Sequence, residues 1–411
     1  MKPTVLIATT TQWYPTARLA VALAKAGFIV KAVCPSRHPM FKTKAVQEAY
    51  RYHGLLPLWS FAEAIHKAKP DLIVPGDDLA TQHLHRLHER EARRGESKSR
   101  LGLLIERSLG SPDSFAIAYS RIAFMDVARE EGVRVPETAA IKNIPELRGW
   151  IERVGLPAVL KADGTSGGDG VRIVRTAQDA ERAFRALQAP PLLARAVKRT
   201  LADQDAALLR PAILRTKFVM SAQKFIGGTE ATSAVACWDG KVIASLHFEV
   251  INKKHTAGHS TVVRLIENAE MMLAATKLAR RLNLSGLYGF DFMLEAGTRN
   301  AYLIELNPRS TQVGHLGLGA GRDIPAALFS AVAGQTIQIS PAVTEKDTIA
   351  LFPQEWIRDS ASPYLRSAYH DVPWEEPELV RACIRSRKKR QPWRVQRGTL
   401  RRLSAVGAPR I

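Results

Sequence analysis

The stretch GFDFMLEAGTRNAYLIELNPR, residues 289–309, constrains this chain more than any other. Two apolar runs flank EAGTRN, whose composition is that of a hairpin turn. With the turn centred near residue 298, Asp291 on one strand falls opposite Glu305 on the other. Opposed residues share a sheet face, with Cβ atoms about 5 Å apart. Asn307, two residues on, returns to that face. Like charges opposed among Phe, Leu and Ile are unfavourable unless something neutralises them. A hard divalent cation does so, and magnesium accepts one or two carboxylates plus substrate phosphates. Sharing with a nearby arginine, Arg299 or Arg309, is the alternative. With a cation in place, Arg309 stands where an anionic intermediate could meet it.

A second segment, LKADGTSGGDGVRIV, residues 160–174, sets Gly164, Gly167, Gly168 and Gly170 just beyond Lys161. A Walker A loop has its lysine after the glycines and opens a helix. A dinucleotide fingerprint lies between a strand and a helix. Here the lysine comes first and Val171–Val174 reads as a strand, so neither fits. What remains is a glycine-rich hairpin flap able to approach and cover phosphates; a mobile surface turn with a solvated lysine is the alternative.

The first third alternates strands and helices: TVLIAT, TARLAVALAKAGF, IVKAVCP, SFAEAIHKAKP and DLIVPGDD. This order implies a parallel sheet, with ligands beyond the carboxyl ends of its strands. Asp77 and Asp78 sit at one such end, as ligand contacts or as turn and cap residues. TQHLHRLHEREARR, carrying His83, His85 and His88, reads as a charged, solvated helix, since His83 and His85 diverge and cannot share a metal. A boundary falls in residues 95–114. DSFAIAYSRIAFMDVAREEG then reads as one helix from a capping Asp113 to Gly132. Beyond the flap, KFVMSAQKFIGG is a strand, and EATSAVACWDGKVIASLHFEVI a hairpin turning at Asp239-Gly240.

The chain has 411 residues, a net charge of +20 and three well-separated cysteines, Cys34, Cys237 and Cys383. Neither a disulfide framework nor a zinc site is suggested. No signal segment or membrane-length apolar run is present, so a reducing cytoplasm is expected. Residues 381–411 hold eleven Lys/Arg and no acid. Such a tail suits an anionic membrane surface or an acidic partner. Specific nucleic-acid binding is not expected, because no aromatic residues interleave the charge.

Taken in order, Lys161, the glycine flap, QKFIGGTE, GFDFMLE and IELNPR resemble the ATP-grasp family of ligases over residues 113–335, of the carbamoyl-phosphate synthase and biotin carboxylase type. The resemblance implies an α/β N-terminal parallel-sheet domain, residues 1–112, then an α+β ATP-grasp fold with antiparallel sheets and a glycine-rich lid, residues 113–345. The lid subdomain would span about 157–225, and residues 346–411 would form a C-terminal extension with the basic tail. It implies an ADP-forming, ATP-dependent carboxylate–amine ligase using ATP and magnesium, with manganese as an alternative. By the same resemblance Lys161 and the four glycines hold phosphates. Gln223, Lys224, Phe225 and Ile226 form the adenine hinge, and Glu230 meets the ribose. Asp291, Glu305 and Asn307 bind metal, and Arg309 stabilises the anionic centre. Arg121 is the counterpart of an earlier phosphate-binding lysine. Lys253, Lys254, His255, His259 and Arg264 lie where similar ligases contact phosphate and acceptor. A silent nucleotide-binding scaffold and a basic membrane or nucleic-acid adaptor are the other function classes.

Overall fold

The computed structural model describes residues 2–95, 98–163, 170–189, 212–214, 218–255, 258–336 and 340–390. Gly164, Gly167 and Gly168, and the tail from residue 391, lie outside them.

Four strands, β1 (Thr4–Ala8), β2 (Ile29–Cys34), β3 (Val46–Arg51) and β4 (Leu72–Pro75), form a parallel sheet in the order β3-β2-β1-β4. β1 and β4 are buried almost throughout and carry near-continuous apolar sequences, as parallel strands covered on both faces do. A second sheet, β5 (Thr138–Ile141), β6 (Ala158–Ala162), β7 (Val171–Val174) and β8 (Met220–Lys224), is antiparallel in the order β5-β8-β6-β7. Leu160, Ala162, Met220 and Ala222 bury one face of it with the helices Ile144–Val154 and Ala177–Gln188. By the two-residue period, Lys161, Ser221 and Gln223 turn to the other face.

The third sheet joins β9 (Gly228–Trp238), β10 (Lys241–Lys253), β11 (Ser260–Leu265), β12 (Gly286–Glu295), β13 (Ala301–Asn307), β14 (Thr348–Leu351) and β15 (Tyr369–Asp371) in the order β13-β12-β9-β10-β11-β14-β15. β14 and β15 come from the segment read as an extension, yet they complete this sheet. Leu351, Phe352, Trp356 and Leu379 enter the same apolar cluster as Val5, Ile7 and Val30 of the first sheet. Buried Asp371 is clamped by Arg18 and by His315, the latter at 2.7 Å. Among the described residues no helix is long and apolar enough to cross a membrane.

Two local expectations are corrected. The single helix from Asp113 is broken: Pro112–Ser114 is a 3-10 turn, Phe115–Tyr119 a short helix, and Arg121–Glu130 a second one. Ser120 causes the break, since its hydroxyl accepts the Ala123 amide 3.2 Å away and caps the second helix. Arg121 therefore stands at a helix start. The helix Asp78–Arg93 is not solvated on its histidine face, because His83, His85 and His88 are only 3%, 5% and 6% exposed. His85 stacks flat on Phe115, ring centroids 3.6 Å apart, His83 meets the Tyr52 hydroxyl at 3.2 Å, and His88 pairs with Glu106 at 2.7 Å.

Burial lowers the pKa of His83 from 6.5 to about 4 and of His85 to about 3. The unfolded chain thus takes up protons first as pH falls. The stability that these rings contribute is complete above about 6.5 and drains away below it, by on the order of 3 kcal/mol per ring. The melting temperature is expected to drop between pH 6.5 and 4, and His85→Phe to flatten that slope. An unchanged slope in the variant would show that His85 is not the titrating group.

Candidate active site

The third sheet sets the geometry. The β12–β13 register pairs Asp291 directly with Glu305 and Gly289 with Asn307. The turn between them uses Gly297 at φ 85° and Arg299 at φ 61°. Asp291 also pairs with Thr232 on β9, whose hydroxyl donates to Asp291 Oδ1 at 2.8 Å, while Asn307 Nδ2 donates to Oδ2 at 2.8 Å. Burial, then the Glu305 charge opposite, raises the Asp291 pKa to about 6. Glu305 goes the other way: burial pushes it up, but Arg121 and Lys161 outweigh that and hold it below the usual range.

Arg121 and Lys161 close the site from the other side. From its helix start, Arg121 donates to Asp163 Oδ1 at 2.6 Å and to Glu305 Oε1 at 2.9 Å, while its Nε is buried without a partner. Lys161, 5% exposed, donates to the Ile304 carbonyl at 3.2 Å. Burial first, then the Arg121 charge, brings its pKa down to about 8. Facing Lys161 across the register, the Ser221 hydroxyl is buried and unpaired. So two acids and two cations converge between the second and third sheets. At the end of β13, Arg309 bonds Asp78 at 3.1 Å and Asn307 Oδ1 at 3.0 Å, and lies 5.4 Å over the Trp13 ring.

The remaining sequence candidates divide. Gln223 is buried on the Lys161 face and donates to Thr138 Oγ1 at 3.1 Å; Ile226 is buried, Phe225 half-buried and Lys224 exposed. Gly170 accepts from the Ala162 amide at 2.9 Å, closing the root of the flap. Glu230 shares its sheet face with Thr232 and Asp291 and is paired with Lys253. Lys254 and His255 are exposed, whereas the ring of His259 lies 6.0 Å from that of Trp13.

Arg264 is a correction. Its row runs through Glu249 and Ala231 to Phe292, on the face opposite Asp291, and it pairs with Glu249 at 3.2 Å. Asp77 is another: its oxygens accept from Thr9, Thr10 and Ala80, so the carboxylate holds the β1 turn and caps a helix. Arg299 also serves Glu249, at 2.8 Å, and Arg121 takes the carboxylate-sharing role that Arg299 or Arg309 was considered for. Sequence reasoning missed Thr232, Asp163 and Trp13. Asp163 stands two residues beyond Lys161, and Trp13 follows the first strand's carboxyl end, where a ligand-facing position was to be expected.

Two carboxylates and an amide, here bonded to Thr232, Arg121, Arg309 and each other, are the oxygen donors that suit a hard cation keeping water and phosphate as its other ligands. Among the described residues no group of three His, Cys, Asp or Glu gathers as a metal centre. The raised Asp291 pKa marks the charge that a cation would relieve.

A parallel α/β sheet is followed by two antiparallel sheets, with Lys161 of one facing the acidic hairpin of the other. A model described as an ATP-grasp domain matches residues 204–313. The carbamoyl phosphate synthase large chain of Myxococcus xanthus (strain DK1622) is 26% identical over 286 residues, 68% of this chain and 24% of that one. That of Rubrobacter xylanophilus is 27% identical over 144 residues, 34% of this chain and 13% of that one. The chain therefore spans a quarter or less of these relatives. The biotin carboxylase–β-γ-ATP complex from Campylobacter jejuni has the same fold at a TM-score of 0.56 and 17% identity, over 83% of this chain and 74% of that one. N5-carboxyaminoimidazole synthetase from Staphylococcus aureus gives 0.55 and 15%, over 83% and 81%. Residues 204–313 thus match an ATP-grasp domain, and the fold is that of these two ATP-grasp structures.

Proposed function

We propose that the chain is an ATP- and magnesium-dependent ligase that activates a carboxylate for attack by an amine. The observation that carries this reading is the convergence of Asp291 and Glu305 with Lys161 and Arg121 between two sheets. The substrate carboxylate attacks the γ-phosphorus of ATP, releasing ADP and leaving an acyl phosphate. The amine then adds to the acyl carbon and expels phosphate, so that one C–N bond replaces one C–O bond.

In this reading the chain works by positioning and charge. Lys161 and Arg121 meet the phosphates, and nucleotide binding draws Arg121 away from Glu305. Asp163 keeps the guanidinium from swinging out of the site. By the family resemblance, Gly164, Gly167, Gly168 and Gly170 are assigned the phosphate contacts. Adenine lies along Gln223 to Ile226, with Glu230 toward the ribose. Arg309, held between Asp78 and Asn307, faces the oxyanion of the acyl-transfer step. Asp291 and Glu305 would hold magnesium, with Asn307 beside them once its amide turns from Arg309. Bound there, the ion neutralises phosphate charge. The nucleotide complex of the Campylobacter jejuni protein supports the ATP part of the proposal.

The test is phosphate release by the full chain with ATP and magnesium against carboxylates, bicarbonate included, each paired with amines. Release that needs a carboxylate and magnesium together is expected. A chain that binds ATP but releases no phosphate with any pair would be a scaffold instead.

A further inference from the structure

We propose that the turn at Leu55 and Leu56 and the start of the helix Pro57–Ala68, together with the cationic connection that leads into β3, form a docking surface for an anionic phospholipid bilayer. Neither the surface nor its test depends on the ligase reading above.

Leu55, Leu56 and Trp59 are 74%, 59% and 55% exposed, three large apolar side chains within one short stretch. Exposed apolar residues scattered singly are ordinary, but a cluster on one turn marks a contact surface. The turn is built to hold them out. The Ser60 hydroxyl accepts the His53 amide at 3.0 Å and donates to the Leu56 carbonyl at 2.9 Å, and the Leu56 amide donates to the His53 carbonyl at 2.9 Å. Ser60, Phe61, Ala64 and Ile65 form the buried side of the helix, which leaves Trp59 outside with its ring 6.3 Å from that of His53.

The surrounding charge selects the occupant. Residues 35–51, which lead into β3 and include it, expose Arg37, Lys42, Lys44 and Arg51. Their one acid, Glu48, is paired with Lys31 at 2.9 Å, and Glu63 on the helix Pro57–Ala68 is paired with Lys67 at 2.9 Å. Phe41, 43% exposed, stands among these cations in the 3-10 turn Pro39–Lys42. That turn packs against β3, the edge strand of its sheet, and against the helix Pro377–Arg390. The helix carries six Lys/Arg and one acid, and the sequence runs on into the basic residues 391–411. Acids beside its start are engaged: Glu375 pairs with Lys25, Glu378 with Arg381, and Glu376 accepts the Lys44 amide at 3.3 Å. So the basic end of the chain, which the ligase chemistry does not use, departs beside the cationic connection, and the apolar turn follows the same edge strand. A second copy meeting this face with its own would bring like charges together. Nucleic acid would take the charge but leave two leucines in water. An anionic bilayer takes both: its surface attracts the cations, the leucines enter the acyl boundary, and tryptophan sits at headgroup level. Among the described residues no helix is long and apolar enough to cross the bilayer, so the contact is peripheral.

The full chain is mixed with phosphatidylcholine vesicles and with vesicles in which about a third of the lipid is phosphatidylserine, and the bound fraction is read by flotation. Binding to the anionic vesicles and not to the neutral ones is expected, weakening as salt shortens the Debye length to about 3 Å. The double variant Leu55→Ser, Leu56→Ser should bind about tenfold more weakly or worse, with its melting temperature unchanged because both side chains are exposed. Lys42→Gln with Lys44→Gln should lose roughly tenfold through charge alone. Tryptophan emission should shift to the blue on binding, and the shift should shrink in Trp59→Phe. Equal binding to neutral and anionic vesicles, or none to either, would overturn the proposal. Wild-type binding in the double serine variant would also overturn it, since charge elsewhere on the chain would then hold the lipid. So would capture of a single-stranded RNA without any binding to vesicles, which would make this a nucleic-acid surface.

Discussion

Asp291→Asn and Glu305→Gln are each expected to lower magnesium-dependent turnover by about 10²–10³-fold, the size of loss seen when one preorganised charge partner is removed from an active site. Neither should unfold the protein. In Asp291→Asn the amide can still take the Thr232 and Asn307 contacts, because the Thr232 hydroxyl can accept as well as donate. Glu305→Gln keeps a carbonyl oxygen for Arg121. The sign of the stability change is informative. Asp291 titrates at about 6, above its unfolded value, so its favourable contribution belongs to low pH and is lost as pH rises through 6. At neutral pH the asparagine variant should therefore melt no lower than the wild type. Turnover at wild-type rates in both variants would remove the metal assignment.

Lys161→Met carries the second large effect. The methionine keeps an apolar stem but lacks the ammonium, and ATP affinity should fall about 10–100-fold, as for lost hydrogen bonds to a charged group. Stability should hold or rise. Lys161 is 5% exposed, has the Ile304 carbonyl as its hydrogen-bond partner, and has its pKa brought down to about 8 by burial and by Arg121. A charge kept under such conditions costs folding energy and is explained by what it binds. Equal ATP affinity in the variant would detach the lysine from the nucleotide.

The parts of this site that were legible in the sequence are those fixed by short-range rules. The EAGTRN turn sets the β12–β13 register within a residue or two, and the period of two then brings Asp291, Glu305 and Asn307 to one face. The β-α-β order likewise gave the parallel sheet, because crossover helices and parallel strands go together. Long-range matters were not legible. That Arg121 reaches Glu305 depends on the break at Ser120, which competes with an otherwise helical pattern. Arg264 was misplaced because a basic stretch near the site does not say which face its residues occupy, and the pleat sends this one to Glu249. His83, His85 and His88 scored as polar, although an imidazole can stack on Phe115 or bond Tyr52 inside a core. The role of β14 and β15 could not be read from their own residues, since β14 joins the sheet through β11, far back in the sequence, and β15 through β14.

Calorimetric titration of the full chain with ATP, with and without magnesium, tests the central claim most directly. The account predicts saturable binding that tightens at least about tenfold with magnesium, and a tightening that vanishes in Asp291→Asn. ATP binding indifferent to magnesium, or a magnesium effect that survives in Asp291→Asn, would contradict it.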